Sequence, residues 1–144
     1  MLLLLLALLS AVTNVKVFSR CELAHVLQEA RLDGYGGYSL VSWLCMAFCE
    51  STFNTAAQSI NVDSSTNYGI FLISSSQLWC TDDRSPSDNG CRVACRDLLS
   101  SNITDDIICA KNIVRNPQGM NAWEGWAMHC KGRDLSEWVE GCDL

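Results

Sequence analysis

Nine cysteines in 144 residues limit what this chain can fold into more than any other feature of its sequence. All nine follow an apolar N-terminal leader: Cys21, Cys45, Cys49, Cys80, Cys91, Cys95, Cys109, Cys130 and Cys142. In a small chain with such a leader, this density indicates disulfide bonds rather than metal ligands. Because nine is odd, at least one thiol is unpaired or bonds to another chain. Spacing alone leaves the pairing open, since eight cysteines allow about 105 connectivities.

The leader is almost pure leucine from Met1 to Leu9 and becomes small and polar before Lys16. Its apolar run is too short to cross a bilayer of about 30 Å as a helix. We therefore interpret residues 1–15 as a signal peptide cleaved near Val15; the alternative is a buried N-terminal helix. This interpretation predicts a secreted protein, extracellular or in a secretory-vesicle lumen, without membrane insertion.

The formal net charge is −6, and no basic run occurs anywhere in the chain. Proteins that bind nucleic acid or anionic surfaces gain affinity and association rate from a positive field. The charge therefore excludes nucleic acid as an expected partner, and it makes a polyanionic cell wall a poor electrostatic match.

Four helices are predicted from capping residues and apolar spacing. Ser19 and Glu22 form a capping box for the first helix. The other three are predicted to begin at Ser39, at Thr104 and at Asn121, each followed by apolar residues at helical intervals.

The pattern changes between the second and third helices. Residues 56–90 are rich in Ser, Thr, Asn and Asp, with one extended run from Tyr68 to Ile73. We expect a small antiparallel sheet here, in a β-lobe of about residues 55–101. The fold class is then α+β, in which both ends of the chain build a helical lobe and a cleft between the lobes is the expected ligand site.

Motifs along residues 16–144 resemble those of the c-type lysozyme and α-lactalbumin family. They are Lys16-Val17-Phe18-Ser19-Arg20-Cys21-Glu22-Leu23-Ala24, Leu32-Asp33-Gly34-Tyr35, Glu50-Ser51-x-Phe53-Asn54-Thr55, Tyr68-Gly69-Ile70-Phe71 and Gly119-Met120-Asn121-Ala122-Trp123. The acidic balance and the ending Gly132-Arg133-Asp134-Leu135-Ser136-Glu137-Trp138 are similar to the lysozyme-like proteins of the male reproductive tract.

The resemblance implies one lysozyme-like domain over residues 16–144 with four disulfides. The implied pairs are Cys21–Cys142, Cys45–Cys130, Cys80–Cys95 and Cys91–Cys109. Cys49 is left over, and we expect a half-buried free thiol there in a monomer, although it would also allow a disulfide-linked dimer.

The resemblance makes Glu50 the general acid of a glycosidase, with Trp123 forming its apolar pocket. Cleavage of a glycosidic bond usually takes two carboxyl groups, one protonated and one ionised. Asn67 stands where active lysozymes carry the ionised aspartate. An amide is neutral and a poor nucleophile, so the site is catalytically degenerate at that position.

Other cleft positions are assigned by the same resemblance. The expected sugar contacts are Trp79, as a stacking platform, and the polar positions Asn61, Asp63, Ser74 and Asn116. Family members usually carry glutamine at Leu72 and asparagine near Ser74, so the surroundings of Asn67 have changed too. Each of these residues is also interpretable as an ordinary loop residue.

Some family members bind calcium in the loop from Leu98 to Asp106. By resemblance Asp105 and Asp106 match two carboxylate ligands, and the backbone carbonyls of Asp97 and Asn102 match two more. Ser100 replaces a third carboxylate, which weakens a site that depends on charge; the alternative is that the two acids merely complete a helix N-terminus. No cofactor is required. Asn102 also begins an N-glycosylation sequon, Asn102-Ile103-Thr104.

The sequence thus predicts a secreted protein that binds β-1,4-linked N-acetylglucosamine-type glycans, with muramidase activity weak or lost. Two alternatives remain. One is an active peptidoglycan hydrolase that uses Glu50, and the other is a non-catalytic protein partner similar to α-lactalbumin.

Overall fold

The computed structural model describes residues 15–76, 79–82 and 90–144. The signal-peptide prediction therefore lies outside the described residues except at Val15. The described part contains four α-helices, α1 (Arg20–Glu29), α2 (Leu40–Ser51), α3 (Thr104–Val114) and α4 (Glu124–His129). It also contains three strands, β1 (Gln58–Ile60), β2 (Thr66–Tyr68) and β3 (Ile73–Ser74). Short 3₁₀ turns span Tyr35–Gly37, Cys95–Leu99, Gly119–Ala122 and Ser136–Val139.

The first two helices begin where the sequence predicts. Before α1, the Ser19 hydroxyl accepts from the Glu22 N–H at 3.3 Å, and the Glu22 carboxylate accepts from the Ser19 N–H at 3.0 Å. Ser39 precedes α2, but its side chain forms no capping hydrogen bond. The Asp33 carboxylate instead accepts from the Leu40 N–H at 3.0 Å, so the cap comes from the preceding loop.

Helix α3 begins at Thr104 as predicted, whereas the fourth helix begins later than Asn121. Asn121 lies in the 3₁₀ turn, and Trp123 is extended, with φ −99° and ψ 109°. The indole N–H of Trp123 donates to the Phe71 carbonyl at 2.7 Å. This long-range bond accompanies the non-helical backbone at Trp123, and α4 starts at Glu124.

The three strands form one antiparallel sheet in the order β1-β2-β3. The predicted extended run from Tyr68 to Ile73 is wrong in its middle, because residues 69–72 form a turn with positive φ at Gly69 and Leu72. The turn inserts two fully buried side chains, Ile70 and Phe71, into the core. It thereby joins the β-lobe to the helical lobe.

The four disulfide pairs implied by the resemblance are confirmed. Cys45–Cys130 ties α2 to the end of α4, and Cys91–Cys109 ties the region after the sheet to α3. The α+β architecture, with a helical lobe and a small antiparallel β-lobe, is confirmed as well. None of the described helices has the length and apolar character needed to cross a bilayer.

Candidate functional site

Glu50 lies in the last turn of α2, where the chain turns towards the β-lobe. The next residue, Ser51, fixes this end of the helix because its hydroxyl donates to the Ile70 carbonyl at 2.6 Å. The carboxyl oxygen Oε1 of Glu50 is buried and has no hydrogen-bond partner within the described chain. It approaches the start of α4 so closely that a Cβ on Gly125 would lie 2.8 Å from it.

Burial is the main cause that raises the pKa of Glu50, to about 7. Withdrawal from water disfavours the ionised form of a carboxyl group. The backbone N–H of Gly125 lies near the carboxyl group without meeting hydrogen-bond geometry at Oε1, and its dipole lowers the pKa, while the negative charge of Glu124 raises it. A carboxyl group with this pKa can give a proton to a leaving oxygen near neutral pH; the raised pKa of lysozyme's buried acid is an established example of the same effect.

Asn67 lies in the middle of β2, opposite Ser59 of β1 and Ser74 of β3. Its amide and that of Asn61 bond reciprocally: the Asn61 Nδ2 donates to Asn67 Oδ1 at 3.1 Å, and the Asn67 Nδ2 donates to Asn61 Oδ1 at 3.2 Å. The Asn67 Nδ2 also donates to the Ser59 hydroxyl at 3.0 Å. The Asn67 side chain therefore both donates and accepts hydrogen bonds, and all its partners are uncharged.

The structure brings six of the sequence-predicted site residues to one cavity of about 290 Å³ between the lobes. They are Glu50, Asn61, Asp63, Asn67, Ser74 and Trp123. The half-buried side chain of Leu72 lines the same cavity and adds apolar surface beside Asn67.

Two other predicted contacts lie elsewhere. Trp79 is half-buried and lines a small neighbouring hollow of about 20 Å³, which shares Leu72, Ser74 and Trp123 with the main cavity. Asn116 lines neither space, because its side chain donates back to the Asn112 and Ile113 carbonyls at the end of α3. Asn116 is thus a helix-end residue in this structure.

Sequence reasoning missed four residues of the cavity or its support: Ser59, Ser76, Ala122 and Glu124. Ser59 is recognisable only once the strand register places it opposite Asn67. Glu124 is easily interpreted as an ordinary acid at a helix start, and only the packing of α4 beside Glu50 brings it to the cleft.

The electrostatic link between Glu124 and Glu50 predicts a measurable change in titration. Glu124→Gln removes a nearby negative charge, so we expect the pKa of Glu50 to fall from about 7. Carboxyl-carbon NMR titration of Glu50 measures it, and Glu29→Gln, an exposed acid outside the cavity, is the matched control. A Glu50 titration that is the same in both variants would refute the link.

In the predicted calcium loop, the two acids differ in burial. Asp106 is fully buried, and neither of its carboxyl oxygens has a hydrogen-bond partner within the described chain. Burial is the main cause that raises its pKa to about 8. Asp105 is exposed, and the Asn102 carbonyl already accepts from the Ser100 hydroxyl at 2.9 Å. The unpartnered Asp106 fits a hard cation, and the Asn102 carbonyl has one lone pair left beside its bond from Ser100.

Cys49 is half-buried and forms no disulfide. Its sulfur lies 3.8 Å from that of Cys130, inside the helical lobe. Burial, followed by the charge of Glu50, raises the pKa of the thiol, which disfavours the reactive thiolate. Cys49, Cys130 and Cys45 form the sole set of three His, Cys, Asp or Glu side chains among the described residues that are close enough to share a metal ion. Cys45 and Cys130 are already joined in a disulfide.

Comparison with known proteins gives the same architecture. The model of the C-type lysozyme/alpha-lactalbumin family matches residues 16–142. The crystal structure of lysozyme from Equus asinus superimposes with a TM-score of 0.85 at 52% identity, covering 90% of this chain and 100% of that chain.

Relatives of two kinds are similar to the chain. Lysozyme C of Equus asinus is 52% identical over 90% of this chain and 100% of its own length. Lysozyme-like protein 1 of Mus musculus is 47% identical over 94% of this chain and 90% of its own length. Sperm acrosome membrane-associated protein 3 of Mus musculus is 51% identical over 97% of this chain and 63% of its own length. The family match, the shared fold and these identities agree: the chain belongs to the C-type lysozyme/alpha-lactalbumin family.

Proposed function

We propose that this chain is a secreted glycan-binding protein whose cleft holds β-1,4-linked N-acetylglucosamine-type oligomers and hydrolyses them weakly or not at all. One observation carries the proposal: the amide of Asn67 is bonded on both sides by neutral partners, Asn61 and Ser59, at the place where hydrolysis needs an ionised carboxylate.

Of the two carboxyl groups that a glycosidase uses, the general acid is present as Glu50, and the ionised carboxylate is replaced by Asn67. Glu50, with a pKa of about 7, can protonate a leaving oxygen. The oxocarbenium-like transition state also needs a negative charge or a nucleophile on its other side. Asn67 provides neither, so binding is retained while the step that breaks the bond loses its electrostatic support.

The uncharged part of the cavity lining suits a sugar ring. Asn61, Asn67, Ser74 and Ser76 offer amides and hydroxyls, and the buried Trp123 and the half-buried Leu72 add apolar surface. A sugar ring presents the same mixture, with hydroxyls at its edge and C–H groups on its faces. Most of the lining residues are polar, which suits a ligand rich in hydroxyl groups.

Titration with chitotriose tests the proposal. We expect saturable binding with a dissociation constant below about 1 mM, equivalent to about −4 kcal/mol or better. Amide NMR shifts should change at the side chains of Asn61 and Asn67 and at the indole of Trp123. No binding at millimolar ligand would overturn the proposal and would favour the protein-partner alternative.

An active peptidoglycan hydrolase is the second candidate. The raised pKa of Glu50 favours it, as does the similarity to proteins named Lysozyme C. In that case Glu50 would act almost alone on a water held by Asn67, and Glu50→Gln would abolish a rapid wild-type reaction.

Calcium binding at Asp106 belongs to the proposal as well, with Asp105 and the carbonyls of Asp97 and Asn102 completing the set. A bound calcium ion would be a positively charged partner for the buried carboxylate of Asp106. The cation requires the ionised form of Asp106, so binding releases a proton and strengthens as pH rises.

Asp106→Asn separates this role from a purely structural one. The pKa of Asp106 is raised on folding, so stability falls as pH rises from about 4 towards 8 in chelator. The variant removes that loss and should be more stable at pH 7, by roughly 2–4 kcal/mol. Calcium should raise the melting temperature of the wild type but not that of the variant. An unchanged wild-type melting temperature at saturating calcium would contradict calcium binding.

The proposal also includes a monomeric state with a free Cys49 thiol, and a glycan attached to Asn102. The Cys49 sulfur lies 3.8 Å from that of Cys130, and the residue is half-buried. Asn102 is exposed, and its side-chain oxygen accepts from the Thr104 N–H and hydroxyl.

A further inference from the structure

The charged side chains that line the cleft are all acidic. Glu50, Asp63 and Glu124 lie on its walls, and its lining includes no Lys, Arg or His among the described residues. Glu50 is largely protonated below pH 7. Asp63 keeps its charge because hydrogen bonds from Ser65 lower its pKa.

Glu124 differs from the other two acids in having no partner. Its side chain is exposed and forms no hydrogen bond or ion pair within the described part of the chain. Asp63, in contrast, is the acceptor for the Ser65 N–H and hydroxyl in the turn between β1 and β2. Glu124 is the first residue of α4 and lines the same cavity as Glu50, near enough for its charge to act on that group.

A simpler role for Glu124 is helix stabilisation, since an acid in the first turn interacts well with the helix dipole. Helix α4 has only six residues, so this dipole is small. Helix stabilisation also predicts no dependence of binding on the charge of the sugar, whereas a ligand role does.

A carboxylate on the wall of a cavity acts on any charge that a sugar brings beside it. A carboxylate on the sugar is repelled and an ammonium group is attracted, and the partly closed cleft screens this interaction less than bulk water does. A neutral acetamido sugar is indifferent to it.

We propose that Glu124 determines the charge specificity of the cleft, favouring oligosaccharides of β-1,4-linked glucosamine that carry free amino groups and disfavouring those that carry carboxylates. The proposal rests on the glycan binding proposed above and names the class of glycan. It follows that sugars bearing a lactyl or other acidic substituent are poor ligands, and that the acidic cleft adds to the mismatch between this chain and anionic cell walls.

The test compares three trisaccharides in weakly acidic buffer by calorimetry: chitotriose, its fully deacetylated and cationic form, and a form with one lactyl carboxylate. Each is titrated into the wild type, Glu124→Gln and the control Glu29→Gln. Affinity ratios to chitotriose are compared, because the effect of removing the acetamido groups from the sugar then cancels between variants. Asp63→Asn serves as a second charge-removing variant at the opposite lobe.

For Glu124→Gln we expect the affinity of the cationic sugar relative to chitotriose to fall by about three- to fivefold. The affinity of the anionic sugar relative to chitotriose should rise by about the same factor, as for a partly exposed charge pair. Added salt should move both wild-type ratios towards those of the variant, lowering the ratio for the cationic sugar and raising the ratio for the anionic sugar. Ratios that are equal in the wild type, Glu124→Gln and Glu29→Gln would overturn the charge specificity while leaving glycan binding intact. If chitotriose itself fails to bind, the proposed function falls and the specificity with it.

Discussion

Asn67→Asp should raise the rate of chitooligosaccharide hydrolysis by about a hundredfold, the effect of restoring one electrostatic contact to a transition state. The new carboxylate would stand in the middle of β2 on the wall of the cavity that Glu50 lines. The measurement is product formation from chitohexaose, followed by chromatography at saturating substrate.

The gain should be smaller than a full recovery because the neighbours are arranged for an amide. The Asn61 Oδ1 accepts from the Asn67 Nδ2 at 3.2 Å, and it would face a carboxylate oxygen in the variant. Adding Leu72→Gln, which supplies a donor in place of an apolar chain, should increase the rate further.

Asn61→Asp is the matched control, because it adds the same charge to the same cavity at a neighbouring position. It should leave the rate near that of the wild type. Adding Glu50→Gln to Asn67→Asp should remove the gain. Equal rates for Asn67→Asp and the wild type would show that the missing charge is not what limits hydrolysis.

Gly69→Ala should destabilise the fold by roughly 3–5 kcal/mol, among the largest effects of a single added methyl group. Gly69 has φ +85°, and a Cβ there would collide with the Leu98 carbonyl oxygen and with the Asp106 carboxyl. The Leu98 carbonyl is backbone, and relieving the collision would displace the turn that carries Ile70 and Phe71 into the core. Chemical denaturation of the disulfide-intact protein measures the loss.

Gly37→Ala separates the collision from the backbone conformation. Gly37 has φ +89° with nothing within 4 Å of its added Cβ, so its cost should be only the left-handed conformation, about 1–2 kcal/mol. If the two variants lose equal stability, the close packing of Gly69 against Leu98 and Asp106 contributes nothing.

Local sequence patterns predict the start of a helix correctly where a side chain within a few residues caps it. The Ser19 and Glu22 capping box is an example, since its partners lie three residues apart. The predicted start of the fourth helix is wrong because the true start depends on Trp123, whose indole bonds to Phe71 across the fold. No local pattern carries that information.

The strand prediction fails at Gly69 to Leu72 for a related reason. Ile70 and Phe71 have good strand propensity, but burial against the helical lobe determines their backbone. The disulfide pairs and the site residues come from the family resemblance, since spacing leaves many pairings open. Resemblance places Asn67 and Glu50 at one cavity, whereas the side chain of Asn116, which it also assigns to the cleft, donates to the end of α3. It misses Glu124, whose place beside the cavity depends on how α4 packs.

The central claim is that the cleft binds glycan without cleaving it efficiently because Asn67 is neutral. Wild-type protein held with chitohexaose, with bound fraction and products followed in the same sample, tests this most directly. We predict saturated binding with the oligosaccharide essentially intact over a period in which Asn67→Asp cleaves it. Rapid cleavage by the wild type that Glu50→Gln abolishes would contradict the claim and identify the chain as a working hydrolase.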